Sequence, residues 1–219
     1  VDGIVKATRG WNGAPARATT TTTMLLGYQG RAGSYFVGSL DEVGVYSSRL
    51  SAAQVATLYA SYPQVLPVAW TSLVNVAASS GSLQKTGGCD GCEDATAASQ
   101  QQIALGNSGY VEFTASETNT LRSVGLANVS SGTGVANMDF AIRLQSGNLE
   151  VREKGIYKAG TSFVSGDVFR IAVDGGMVHY YKNGAVFYTS TVAPSSALRS
   201  SVSINSLGGT VTNAVIKTQ

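Results

Sequence analysis

The sequence predicts an all-β protein: two antiparallel β-sandwiches in tandem, the first incomplete, with one short helix near residues 51–60. Three observations carry this. Apolar and polar residues alternate with a period of two through most of the second half. Asp-Gly and Asn-Gly pairs stand between the alternating runs, where hairpin turns need residues that tolerate positive φ. An order of turn, strand, loop, strand, Gly-containing turn and strand near the N-terminus recurs near the C-terminus.

Taken in order, residues 1–8 (VDGIVKAT) read as the turn and second strand of a hairpin, with Asp2 and Gly3 as the turn. A polar loop containing residues 19–23 follows, and residues 23–46 hold two further strand patterns. Residues 48–63 (SRLSAAQVATLYASYP) change period. Leu50, Val55, Leu58 and Tyr59 fall at helical spacing, and Ser51 with Gln54 forms a capping box for the first backbone N–H groups. Pro63 and Pro67 stop the helix and mark a linker, 63–67.

Beyond it, residues 110–114, 139–145, 149–153, 167–173, 177–181 and 185–191 all alternate and are bounded by Gly, Asn, Ser or Asp. In the second of these, Phe140, Ile142 and Leu144 form an apolar face opposite Ala141, Arg143 and Gln145. That is the half-buried strand of an antiparallel sandwich, not the continuous apolar run of a parallel sheet. VDGG (173–176) and KNG (182–184) are the turn signals.

The repeat sets the domain layout. Residues 182–217 and residues 1–46 follow the same order of elements, but the second copy is preceded by a long run of strands and the first is not. Three strands and a helix are too few to close a two-sheet core. The expectation is that 1–62 is the C-terminal part of a sandwich whose other strands lie upstream or come from another segment or chain. Residues 68–219 would be a complete sandwich.

GSYFVGSLDEVGVYSSRLSAAQVATLY (33–59) resembles the C-terminal signature of bacterial laminin-G-like, concanavalin-A-like jelly rolls. VDG fits the hairpin that precedes it in that family. Residues 68–217 are similar to another group of concanavalin-A-like extracellular modules, through VAWTSLVNV, GYVEFTASETNTLR, DFAIRLQSG and GDVFRIAVDGGMVHYYKNGAVFYTS. The last stretch also looks like the core hairpin of SPRY-type sandwiches. Both resemblances imply non-catalytic modules on larger secreted proteins, often binding carbohydrate or protein.

Composition narrows the partners. Charged residues are 13 %, against roughly 25 % in typical domains, with Gly, Ser and Thr filling the gap as in many secreted β proteins. Fifteen basic and 13 acidic residues leave a net charge of +2 with no basic run, which argues against nucleic acid and against a membrane-surface patch. No stretch approaches the ~18 apolar residues of a membrane-spanning helix.

Few residues signal chemistry. Cys89 and Cys92, in GGCDGCEDA, lack the further ligands a zinc site needs, and the single histidine, His179, cannot complete the set. A redox C-x-x-C needs a βαβ context that is absent here. A local disulfide in a secreted chain is the reading retained, with a small entropic gain from so short a loop. Asp41 and Glu42 are adjacent in a strand pattern and point to opposite faces, so they cannot act together as an acid/base pair. One of them caps a turn or pairs with Arg49, or Asp41 is a Ca²⁺ ligand, as the resemblance implies.

There is no G-x-S-x-G, P-loop or His-rich cluster. A glycosidase would draw on Glu112, Glu117, Asp139, Glu150 and Glu153, but these read as a solvated sheet face, with Glu150 beside Arg152. His179 reads as a surface strand residue. Sugar C–H faces stack on exposed rings, which makes Tyr157, Tyr180, Tyr181, Tyr188 and Trp11 the candidate ligand contacts. Tyr180 and Tyr181 face opposite ways, so at least one is expected at the surface; Trp70 reads as core. The function expected is a non-enzymatic, secreted or cell-surface module pair that binds a glycan or another extracellular protein. The alternative is a structural or assembly module without a small ligand.

Overall fold

The computed structural model describes residues 43–62, 64–132 and 134–218, and the chain divides into two compact units, Val1–Ser61 and Tyr62–Gln219. Of the first unit the described part holds helix α1 (Ala52–Ser61). The capping box closes in both directions: Ser51 N donates to Gln54 Oε1 at 2.8 Å, and Gln54 N donates to Ser51 Oγ at 3.2 Å. Val55 is exposed, while Leu50 and Leu58 are half-buried. The hairpin and strands expected over residues 1–42 lie outside the described residues, as do Trp11, Asp41 and Glu42.

The second unit is a sandwich of two antiparallel sheets. Its strands are β1 (Val65–Pro67), β2 (Trp70–Val74), β3 (Val76–Ser79), β4 (Ser82–Lys85), β5 (Ala95–Ile103), β6 (Gly109–Thr114), β7 (Arg122–Asn128), β8 (Phe140–Gln145), β9 (Asn148–Glu153), β10 (Ile156–Ser162), β11 (Val168–Asp174), β12 (Met177–Lys182), β13 (Ala185–Thr189), β14 (Leu198–Ile204) and β15 (Thr210–Thr218). One sheet runs β13-β12-β11-β6-β15-β4-β3, with β1 also paired to β15; the other runs β10-β9-β8-β7-β14-β5-β2.

One boundary moves. The linker expected at 63–67 is in part a strand, with Val65 opposite Lys217 and Pro67 opposite Val215. A proline can sit there because β1 is short and lies at an edge, where its missing N–H breaks no ladder. The predicted turns form as written: Asn183 and Gly184 have φ of 50° and 80°, and Gly175 and Gly176 have 56° and 80°.

Alternation builds the core. Val111, Phe113, Ile171, Val178 and Tyr180 of the first sheet meet Val124, Leu126, Ile142, Leu144, Leu149 and Val151 of the second. Phe169 packs against Phe113 and Phe163 with ring centroids 5.6 and 5.9 Å away.

The two ends of the sandwich differ. At one end a polar network joins the loops: buried Lys85, buried Arg122 with Glu117, and Asp167 with Lys182 and Asn183. The other end collects the β5–β6, β7–β8, β9–β10, β11–β12 and β13–β14 connections, and there the molecule is hollow.

Candidate functional site

The inward positions of β9 are Leu149, Val151 and Glu153. The first two enter the core. The third, at the strand end, places a carboxylate between the sheets. Glu153 is 5 % exposed, and neither of its carboxylate oxygens accepts a hydrogen bond among the described residues. It lines a cleft of about 240 Å³ whose other walls include Phe140, Ile156, Pro194 and Leu198, with Asp139, Lys154, Lys158 and Ser195 as further polar groups.

Lys158 owes its place to a β-bulge. Tyr157 pairs with Arg152 and Ala159 with Val151, which leaves Lys158 as the extra residue on β10. Its ammonium stands 3.7 Å from Glu153 Oε2, an ion pair too long to be a hydrogen bond. Asp139 is held by the Asn128 N–H at 2.8 Å and faces Lys154 at 3.6 Å.

Two tyrosines approach Glu153 from the first sheet. Tyr180 is fully buried, and its hydroxyl lies against Glu153 without meeting good hydrogen-bond geometry. Burial, followed by the negative charge of Glu153, raises the Tyr180 phenol above its ordinary pKa, and the same two causes raise Tyr188. Their rings lie 5.6 Å apart. A smaller hollow of about 160 Å³ shares Ala193, Pro194 and Leu198 as a wall and is otherwise lined by Ile103, Leu105 and Val173 among others. Together these features form an apolar-walled cleft with a few converging polar groups, the usual build of a small-ligand site.

The aromatic candidates do not form one surface. Tyr157 is 55 % exposed on edge strand β10. Tyr180 is corrected from candidate ligand contact to core residue, because β12 directs Val178 and Tyr180 inward. Tyr181 is half-buried on the opposite face, near the Arg170 guanidinium, which lies 5.8 Å from its ring and 4.2 Å from that of Tyr110. Tyr188 is half-buried beside Tyr180. His179 lies half-buried with Nδ1 3.0 Å from Thr189 Oγ1. Trp70, half-buried against the core, donates its indole N–H to the Gly81 carbonyl at 2.8 Å.

Four of the five candidate carboxylates are already committed. Glu112 pairs with Arg170 at 2.6 Å, and Glu150 pairs with Arg152 at 2.7 Å and Arg143 at 3.2 Å. Glu117 accepts from the Thr210 N–H at 2.8 Å and from its hydroxyl at 2.6 Å, and Asp139 holds Asn128. Glu153 is the exception in accepting no hydrogen bond, with only the Lys158 ammonium 3.7 Å away, and the solvated face expected for it is corrected to an interior position. The pattern LEVRE carried the alternation, but Glu153 counted as polar and so as outward. Nothing in the sequence marks the bulge at Lys158.

Cys89 and Cys92 are joined in a disulfide, with Cα atoms 5.4 Å apart, at the opposite, polar end. Cys89, Cys92 and Asp94 are the one metal-sized grouping among the described residues. The sulfurs are bonded to each other, and the cation beside Asp94 is the ammonium of Lys85 at 2.6 Å.

No protein-family model matches the chain, and no curated protein matches it in sequence. Solved structures do resemble it. The carbohydrate recognition domain of Emp47p superposes with a TM-score of 0.51 at 12 % identity, over 70 % of this chain and 93 % of that one. A human SPRY domain superposes with a TM-score of 0.49 at 13 % identity, over 65 % and 94 %. The fold is a concanavalin-A-like jelly roll.

Proposed function

We propose that the unit Tyr62–Gln219 is a non-catalytic glycan-binding module of a secreted or cell-surface protein. The observation that carries this reading is the cleft in which Glu153 offers two buried oxygens that accept no hydrogen bond among the described residues, between apolar walls. Sugars present hydroxyl donors around a partly apolar ring, and such a wall with such an acceptor suits them. The fold-level likeness to a carbohydrate recognition domain supports the reading by analogy alone. Glycoside hydrolysis needs two carboxyl groups in complementary roles, and the other four candidates are held by arginine, threonine or backbone partners.

A glycan array probed with the whole chain tests this. Binding to a defined set of glycans, lost when Glu153 is replaced by Gln, is the expected result. A folded chain that binds no glycan overturns the reading and favours the structural, assembly alternative.

A further inference from the structure

Resting on that glycan reading, the chemistry of the cleft narrows the ligand further. Glu153 is a buried carboxylate whose oxygens can each accept, and neither does so among the described residues. Leaving such acceptors empty is costly, which marks the position as one that a ligand or solvent donor fills. Lys158, the extra residue of the β10 bulge, stands 3.7 Å away, beyond hydrogen-bond distance. The Tyr180 hydroxyl faces the same carboxylate from the other sheet, close to it but short of good hydrogen-bond geometry.

A hydroxyl suits a loosened acid–lysine pair because it donates and accepts at once. Its proton goes to Glu153 while its oxygen accepts from Lys158. Two adjacent hydroxyls occupy both carboxylate oxygens. A ligand ammonium can only donate, so it gives the Lys158 ammonium no acceptor and would stand beside that like charge. A ligand carboxylate can only accept, and it would face Glu153 across a low-dielectric gap. The ionisable side chains lining the cleft are Asp139, Glu153, Lys154 and Lys158, two of each sign, so no net field favours an ion. At about 240 Å³ the cleft is smaller than the roughly 300–1,000 Å³ of sites for drug-sized molecules, which suits one ring at a chain end.

We infer that this cleft binds a neutral terminal pyranose through two adjacent hydroxyls that donate to Glu153, one of which also accepts from Lys158. The ring's apolar face then lies toward Ile156 and Pro194.

Amide shifts of the nitrogen-labelled full chain, followed by NMR during titration, test the inference. The probes are methyl glucoside, methyl mannoside and methyl galactoside, with glucuronic acid and glucosamine in parallel. At least one neutral glycoside is expected to shift the amides of Lys154, Ile156 and Ser195, and neither charged sugar to match it. Glu153→Gln should weaken that binding about tenfold, a loss of ~1.4 kcal/mol. Lys158→Met, at the half-exposed rim, should weaken it several-fold and gives a reading even where the first variant fails to fold. Shifts only from the charged sugars, no shifts at all, or unchanged affinity in Lys158→Met would each overturn the neutral-pyranose inference. If the glycan array is still positive, the broader reading survives; a blank array removes both.

Discussion

Lys85 holds its ammonium 2.6 Å from Asp94 Oδ1 while none of its side chain reaches solvent. The same nitrogen donates to the carbonyls of Cys89, Cys92 and Asn205 at 2.8, 3.0 and 2.9 Å. Four acceptors around three protons make a closed cation site, filled from within the chain. It anchors the disulfide loop between β4 and β5 to the β14–β15 loop. Lys85→Met keeps much of the stem but leaves the Cys92 and Asn205 carbonyls without this donor, while the Cys89 carbonyl keeps the Cys92 N–H and Asp94 keeps the Cys89 N–H. The substitution should cost on the order of 3 kcal/mol. Asp94→Asn should cost less, because that carboxylate is partly in water. Urea unfolding of the two variants checks both the size and the order; an unchanged midpoint in Lys85→Met contradicts the account.

Acid should weaken the fold from this same end. The Lys85 hydrogen bond holds the Asp94 carboxyl below its ordinary pKa. For Asp167, burial pushes upward, but hydrogen bonds from Asn183, the Val164 N–H and Lys182 outweigh it and the net shift is downward. Glu117 behaves likewise through Thr210, and Glu150 through Arg152. Each folded-state pKa therefore lies below its unfolded value, so the ionised groups stabilise the fold above about pH 4.5. That contribution is lost as pH falls through the folded pKa values. The melting temperature should stay nearly level from about pH 7 to 5 and fall below about pH 4. Asp167→Asn should lower the plateau and flatten the acid slope. A melting temperature that held steady down to about pH 3 would count against the linkage.

The strands were legible because alternation is a local property. Phe140, Ile142 and Leu144 on one face of β8, or Asn183-Gly184 at a turn, need no knowledge of neighbours. The capping box of α1 was legible for the same reason. The cleft was not, because it depends on register. Glu153 and Arg152 are adjacent polar residues in the sequence, yet one is 5 % exposed between the sheets and the other lies outside with Glu150. Tyr180 and Tyr181 are two identical residues whose order along β12 alone decides which is core. The bulge that leaves Lys158 unpaired on β10, with its ammonium near Glu153, is a mismatch between two strands, and neither strand encodes it separately. Pro67 misled for a related reason: it reads as a stop, but it is harmless in a short edge strand.

The outer face of the second sheet carries polar and small residues, a composition that suggests exposure. Ser123, Ala127, Ala141, Ser201 and Ser203 are all buried there. Met138, from the described part of the β7–β8 connection, packs against Ala127 and Ala141. The connection is held by the Val135 N–H on Glu93 and by Arg199 on the Ser131 carbonyl at 2.8 Å. Gly125 lets this segment lie close: a Cβ there would meet Phe140 O at 2.5 Å and Met138 Sδ at 2.9 Å. Gly125→Ala should cost about 1–3 kcal/mol through overpacking, and Met138→Ala about 2–5 kcal/mol through the cavity it leaves. In the double variant the new methyl can occupy part of that cavity, so the two losses should sum to less than their separate values. The Phe140 carbonyl belongs to a paired strand and cannot retreat, so the recovery should be partial. Thermal melts of the three variants supply the cycle, and strict additivity would mean that Met138 is not what Gly125 makes room for.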